Sequence, residues 1–177
     1  MTRINLDTTQ VASQSQAMLA QIQGAFGTTP NMFKAVANSP AALQSMWGSF
    51  AALGKGRLGA QLGEQIAVAI ANSNRCEYCL AAHTVLGQAA GLSAQAMQAA
   101  QVGQSSDLKT AAVLAFALKV VKQRAQVEAG DIRGLRELGF DDELIVEIMA
   151  HIALNVYTNY INIALDVPVD FPKVALV

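Results

Sequence analysis

Charge is scarce in this chain. Of 177 residues only 14% are charged, and 12 Lys and Arg against 13 Asp and Glu leave a formal net charge of −1. The basic residues are scattered rather than clustered, so nothing in the composition favours nucleic acid as a partner. No apolar run reaches membrane-spanning length, because Lys, Arg, Glu, Asn or Gln interrupts every candidate. That points to a soluble protein with no membrane association. The opening Met-Thr-Arg-Ile-Asn-Leu-Asp lacks the apolar core of a signal sequence, which makes the cytoplasm the expected compartment. Convincing strands are missing as well. Cysteine and histidine number two each. The two cysteines form one C-x-x-C, which in that compartment reads as redox or metal chemistry rather than as a structural staple.

Apolar residues, by contrast, make up 53% of the chain. A chain of this length builds one domain with a sizeable core. The surplus apolar surface suggests a homo-oligomer, whether dimer, trimer or hexamer. Helical periodicity runs through most of the sequence, and the expected fold class is all-α. It would be a single compact helical domain over residues 1–177, of about eight helices built on antiparallel pairs, with residues 1–28 as a peripheral N-terminal helical segment ending at Gly24 and Gly27. Ser39, Ser93, Asp107 and Asp141 stand where helix N-caps belong. Gly54 to Gly59 spells G-x-G-x-x-G. A helical pattern precedes it and no βαβ unit surrounds it, so an inter-helix turn is expected there rather than a nucleotide site.

Chemistry concentrates between Glu64 and His83. Cys76, Cys79 and His83 lie at i, i+3 and i+7, which a helix gathers within an arc of about 60°. Cys76 is expected in the first turn, where free N–H groups, the helix dipole and the preceding Arg75 would all favour a thiolate. His83 stands four residues beyond Cys79 and can exchange a proton with it. Glu64 belongs to the preceding helix and reaches His83 if the chain turns back at residues 72–75. Two thiols, an imidazole and a carboxylate make a relay for thiol redox chemistry. Zinc is the metal alternative, with Glu64 or His151 completing an open site, although no second C-x-x-C or His pair exists to close one.

Glu64, Cys76 twelve positions later and the C-x-x-C-x-x-x-H ending at His83 resemble the signature of the alkylhydroperoxidase D and carboxymuconolactone decarboxylase-like family. The run from Asn155 to Asn162, followed by Asp170-Phe171-Pro172, is similar to the tail of that family's peroxidase-related branch. The resemblance covers most of residues 30–172. It implies an alkylhydroperoxidase D-like fold and a thiol-dependent peroxidase acting on alkyl or hydrogen peroxides, without cofactor or metal. Within it Cys79 would match the peroxidatic cysteine, Cys76 the resolving cysteine, and Glu64 with His83 the proton relay. An external dithiol of lipoyl or thioredoxin type would restore the pair. The best-studied type carries a second histidine just before the peroxidatic cysteine. That position is Tyr78 here, which implies a different route for proton delivery. The decarboxylase branch uses no cysteine pair, so Cys76 and Cys79 weigh against its chemistry. The alternatives are a carboxymuconolactone decarboxylase-like function, or a dithiol oxidoreductase or redox sensor without peroxidase turnover.

Two further groups are candidates for a substrate pocket or an interface. Trp47 and Phe50 are bulky side chains on the helix that follows Ser39. His151, Asn155, Thr158 and Asn162 form an uncharged polar stripe at i, i+4, i+7 and i+11 on an otherwise apolar final helix. A stripe of this kind must find hydrogen-bond partners if it is buried. A subunit seam or satisfied core contacts are the favoured reading of it, ahead of a place on the wall over Cys79.

Overall fold

The computed structural model describes residues 2–177, and every regular element among them is a helix. Among these residues there are nine, in keeping with the eight or so expected: α1 (Ser13–Phe26), α2 (Asn31–Val36), α3 (Pro40–Leu53), α4 (Ala60–Ser73), α5 (Glu77–Ala89), α6 (Ala94–Gln101), α7 (Leu108–Lys122), α8 (Ala129–Glu137) and α9 (Asp142–Ala164). Local chemistry sets most of the starts. Ser39, Ser93, Asp107 and Asp141 each accept a backbone N–H three residues on, removing one of the free donors that open a helix.

The centre of the molecule is α4. Ile66, Val68 and Ile70 alternate there with Ala67, Ala69 and Ala71, and all six are 0 or 1% exposed. A helix apolar on every side must be enclosed, and α5, α6, α7 and α9 all pack around it. Small residues on its surface let these neighbours come close. The antiparallel pairing of α4 with α5 follows from the turn between them. Arg75 adopts a left-handed φ of 60°, and Cys76 N–H returns to Ala71 O at 2.8 Å, which reverses the chain within a few residues.

Three segments add to or change the expectations. The N-terminal helix starts at Ser13 and runs through Gly24 to a left-handed cap at Gly27. It is more than peripheral, because Leu19 and Ile22 are buried in the core. The segment from Gly54 to Gly59 is an inter-helix turn, as expected, and it wraps a carboxylate of its own chain. Arg57 and Leu58 N–H groups donate to Glu147 Oε2 at 3.0 and 3.2 Å. A Cβ on Gly56 would fall 1.4 Å from Glu147 Oε1, so a larger residue there would displace that carboxylate from the turn. Finally, α9 is 23 residues long with a mean hydropathy of 1.2 in its most apolar window. It is therefore long and apolar enough to cross a bilayer, contrary to the expectation that no run reaches that length. Here it packs along α4, α5 and α7 and turns Asn155, Thr158, Asn159 and Asn162 inward.

Candidate active site

The α4–α5 turn places the two sulfurs in different roles. Cys76 is the N-cap of α5 rather than a first-turn residue, and its Sγ accepts the Cys79 N–H at 3.3 Å. Arg75, turned outward by its left-handed backbone, donates to Val177 O at 3.3 Å. Its charge is thus engaged elsewhere, against the expectation that it would favour a Cys76 thiolate. The Cys76 thiol is instead held well above its ordinary pKa, first because its S–H donates to Cys79 and then because it is buried.

Cys79 goes the other way. Burial pushes its pKa up, but the Cys76 thiol, the positive charge of His83 and the Asn162 amide outweigh that and bring it from an ordinary 9.0 to about 7. Asn162 Nδ2 donates to Cys79 Sγ at 3.2 Å. The thiolate of the pair therefore belongs to Cys79.

The expected carboxylate–imidazole contact is present. His83 Nδ1 donates to Glu64 Oε2 at 2.7 Å, with the two side chains only 11% and 21% exposed. Burial by itself would lower the His83 pKa. The Glu64 charge and hydrogen bond, with a smaller contribution from Cys79, overcome it and raise the value. Because Nδ1 is committed to Glu64, Nε2 is the nitrogen left for proton exchange.

Above these groups lies a cavity of about 300 Å³. Cys79, His83 and Glu64 line it, whereas Cys76 does not. Its apolar side is built by Phe26, Phe33, Phe50 and Phe171. Phe33 meets Phe50 edge-on with ring centroids 6.0 Å apart, and Phe171 meets Tyr78 in the same way at 5.7 Å. The opposite wall is the polar stripe of α9: His151, Asn155 and Thr158 face the cavity, and Asn162 holds the sulfur below it. Three of the four stripe residues thus line the cavity, while Asn155, Thr158 and Asn162 also make core hydrogen bonds. Asn155 Nδ2 donates to His151 O at 2.9 Å. The His151 ring lies over Gly63, where a Cβ would come within 3.2 Å of Cε1. Burial lowers the His151 pKa, so that ring is neutral at neutral pH.

The remaining candidates divide. Tyr78 lines the cavity and accepts the Met32 N–H at 3.1 Å through its hydroxyl. Burial raises its pKa, so it stays a neutral phenol, and its contact with Met32 ties α2 to α5. Trp47 is set behind the wall, edge-on to Phe33 with centroids 5.8 Å apart. Sequence reasoning missed Phe26, Phe171 and Asn159 as site residues. Only the polar residues within an apolar helix signalled the last of them. For the zinc alternative, no three His, Cys, Asp or Glu side chains among the described residues are arranged to hold a metal ion.

Comparison with known proteins agrees with this fold. Residues 39–123 match the Carboxymuconolactone decarboxylase family. An uncharacterized peroxidase-related protein from Silicibacter sp. TM1040 superposes with a TM-score of 0.83 at 25% identity, covering 98% of this chain and 92% of its own. A second, from Ralstonia eutropha JMP134 and described as an alkylhydroperoxidase AhpD core, superposes with a TM-score of 0.87 at 25% identity, over 96% and 92% of the two chains. The debrominase Bmp8 in complex with 2,3,4-tribromopyrrole shares the fold, with a TM-score of 0.77, 21% identity and coverage of 93% and 92%. No curated protein matches the chain in sequence.

Proposed function

The chain belongs to the alkylhydroperoxidase D and carboxymuconolactone decarboxylase-like family, and on that premise we propose that it is a thiol-dependent peroxidase reducing alkyl or hydrogen peroxides. The observation that carries the reading is that Cys79, the sulfur with the lowered pKa, opens on the cavity beside the His83–Glu64 pair, while Cys76 does not line it. His83 takes the Cys79 proton and Glu64 steadies the resulting imidazolium. The thiolate attacks the terminal peroxide oxygen, forming S–O as O–O breaks. The departing alkoxide or hydroxide takes the proton back from His83 and leaves as alcohol or water. Cys76 then attacks the sulfenic acid, releasing water and closing the Cys76–Cys79 disulfide. An external dithiol of lipoyl or thioredoxin type returns both sulfurs to thiols. Val146, Tyr160 and Ile163 stay exposed on the outer face of α9, which supports assembly into a homo-oligomer.

The test is a single-turnover thiol count with one equivalent of an organic hydroperoxide. Both thiols should disappear as one alcohol forms, Cys79→Ser should abolish consumption, and Cys76→Ser should leave a trappable sulfenic acid. Full activity in Cys79→Ser refutes the assignment.

The volume and aromatic walls of the cavity favour a second reading, with a halogenated aromatic as substrate. Replacing halogen by hydrogen would oxidise the same pair: aryl halide plus two thiols gives arene, disulfide and hydrogen halide. Thiol loss with bromide release from a brominated pyrrole, and none with peroxide, would establish it.

A further inference from the structure

Two buried polar atoms on α9 are left without a partner beside the reactive sulfur. They are Asn159 Nδ2 and Asn162 Oδ1, on side chains that are 0% and 3% exposed. Native interiors rarely leave such groups unmet, so each calls for a reason. The other ends of both amides are fixed. Asn162 Nδ2 donates to Cys79 Sγ at 3.2 Å, and Asn159 Oδ1 accepts from Asn74 Nδ2 at 3.0 Å. Spaced at i and i+3, the two carboxamides share one face of the helix, and both help to hold the Cys79 thiolate. One donor and one acceptor without a hydrogen-bond partner thus sit on the two carboxamides that act on the Cys79 sulfur.

A thiolate uses donors only, so the spare acceptor has no role in the resting state. A sulfenic acid differs from it by one oxygen and one O–H. It adds an acceptor that suits Asn159 Nδ2 and a donor that suits Asn162 Oδ1. We propose that Asn159 and Asn162 form a carboxamide receptor that holds Cys79 as thiolate before oxidation and as sulfenic acid after it. The proposal rests on the peroxidase reading. In the oxidising step the thiolate electron pair takes the terminal oxygen of the hydroperoxide, the O–O bond breaks, and the alkoxide leaves as alcohol with the His83 proton. In the resolving step the Cys76 sulfur displaces the new oxygen, which departs as water, and S–S replaces S–O. Between the two steps the amides keep the S–O–H group oriented and in place. They act as positioning residues.

The test uses the full chain in a Cys76→Ser background, where serine keeps a hydroxyl donor and the sulfenic acid is not resolved. Two quantities are measured: the pH midpoint of Cys79 alkylation by iodoacetamide, which needs no peroxide, and the survival of the sulfenic acid after one equivalent of hydroperoxide, read with a dione trap. Asn162→Leu should raise the alkylation midpoint by about one unit, slowing alkylation about tenfold below it. Asn159→Leu should move the midpoint less and shorten the sulfenic acid lifetime severalfold. Should either leucine variant fail to fold, Asn162→Asp keeps the acceptor and removes the donor. It should still raise the midpoint, and further, because it adds like charge. Folded variants with the parent's midpoint and sulfenic acid lifetime would overturn the receptor. A parent that consumes no hydroperoxide overturns the peroxidase reading instead, and with it the sulfenic acid half of this proposal, while the alkylation profile still decides the thiolate half.

Discussion

Substituting Glu64→Gln keeps the size of the side chain and removes its charge from a contact of 2.7 Å to His83 Nδ1. The pair is mostly shielded from solvent, so the loss is not screened away. A hydrogen bond to a charged group contributes roughly 1.5–3 kcal/mol, so losing the Glu64 charge should lower the His83 pKa. Burial then acts on the imidazole against only the smaller contribution of Cys79 and favours the neutral ring. Cys79 loses the positive neighbour that helps bring it to about 7. A rise of about one unit would cut the thiolate share at pH 7 from about a half to about a tenth, a loss of about fivefold. The sign is definite: the midpoint moves up, the loss is largest below it, and rates converge in alkali where both proteins are thiolate. Iodoacetamide alkylation of Cys79 across the pH range, in a Cys76→Ser background, measures it directly. A folded Glu64→Gln protein with the parent's midpoint would refute the claim that the Glu64-supported imidazolium stabilises the thiolate.

Two other outcomes follow from the packing. Ala67 is 1% exposed and lines the cavity on α4. Ala67→Leu should narrow that space, lowering kcat/KM for a bulky organic hydroperoxide about tenfold or more while sparing hydrogen peroxide, as parallel rate measurements would show. Leu114 is 0% exposed and lies on α7, away from the cavity walls. Leu114→Ala should cost about 2–5 kcal/mol in chemical denaturation and leave the Cys79 alkylation midpoint of the folded protein unchanged.

Features governed by neighbours along the chain are legible in the sequence alone. Ser39, Ser93, Asp107 and Asp141 cap their helices because a cap needs only the next three residues. The i, i+3, i+7 spacing of Cys76, Cys79 and His83 implies one helical face, and that spacing with Glu64 twelve residues before Cys76 carries the family resemblance. Helix ends that depend on backbone conformation are less legible. Gly24 and Gly27 both read as stops, and only the left-handed Gly27 ends the helix.

By itself, then, the sequence determined an all-helical chain, its main caps, and a dithiol set beside a histidine and a carboxylate. Tertiary structure decided which sulfur is the thiolate. Local reasoning favours Cys76, at the helix start and next to Arg75. The fold engages Arg75 with Val177, buries Cys76 as a donor, and brings Asn162 to Cys79 from 83 residues away. It also decided that Phe26 and Phe171 wall the cavity while Trp47 stands behind Phe33. Ionisation in a buried site follows the sum of desolvation, charges and hydrogen bonds from every element around it. That sum exists only once distant segments have packed together.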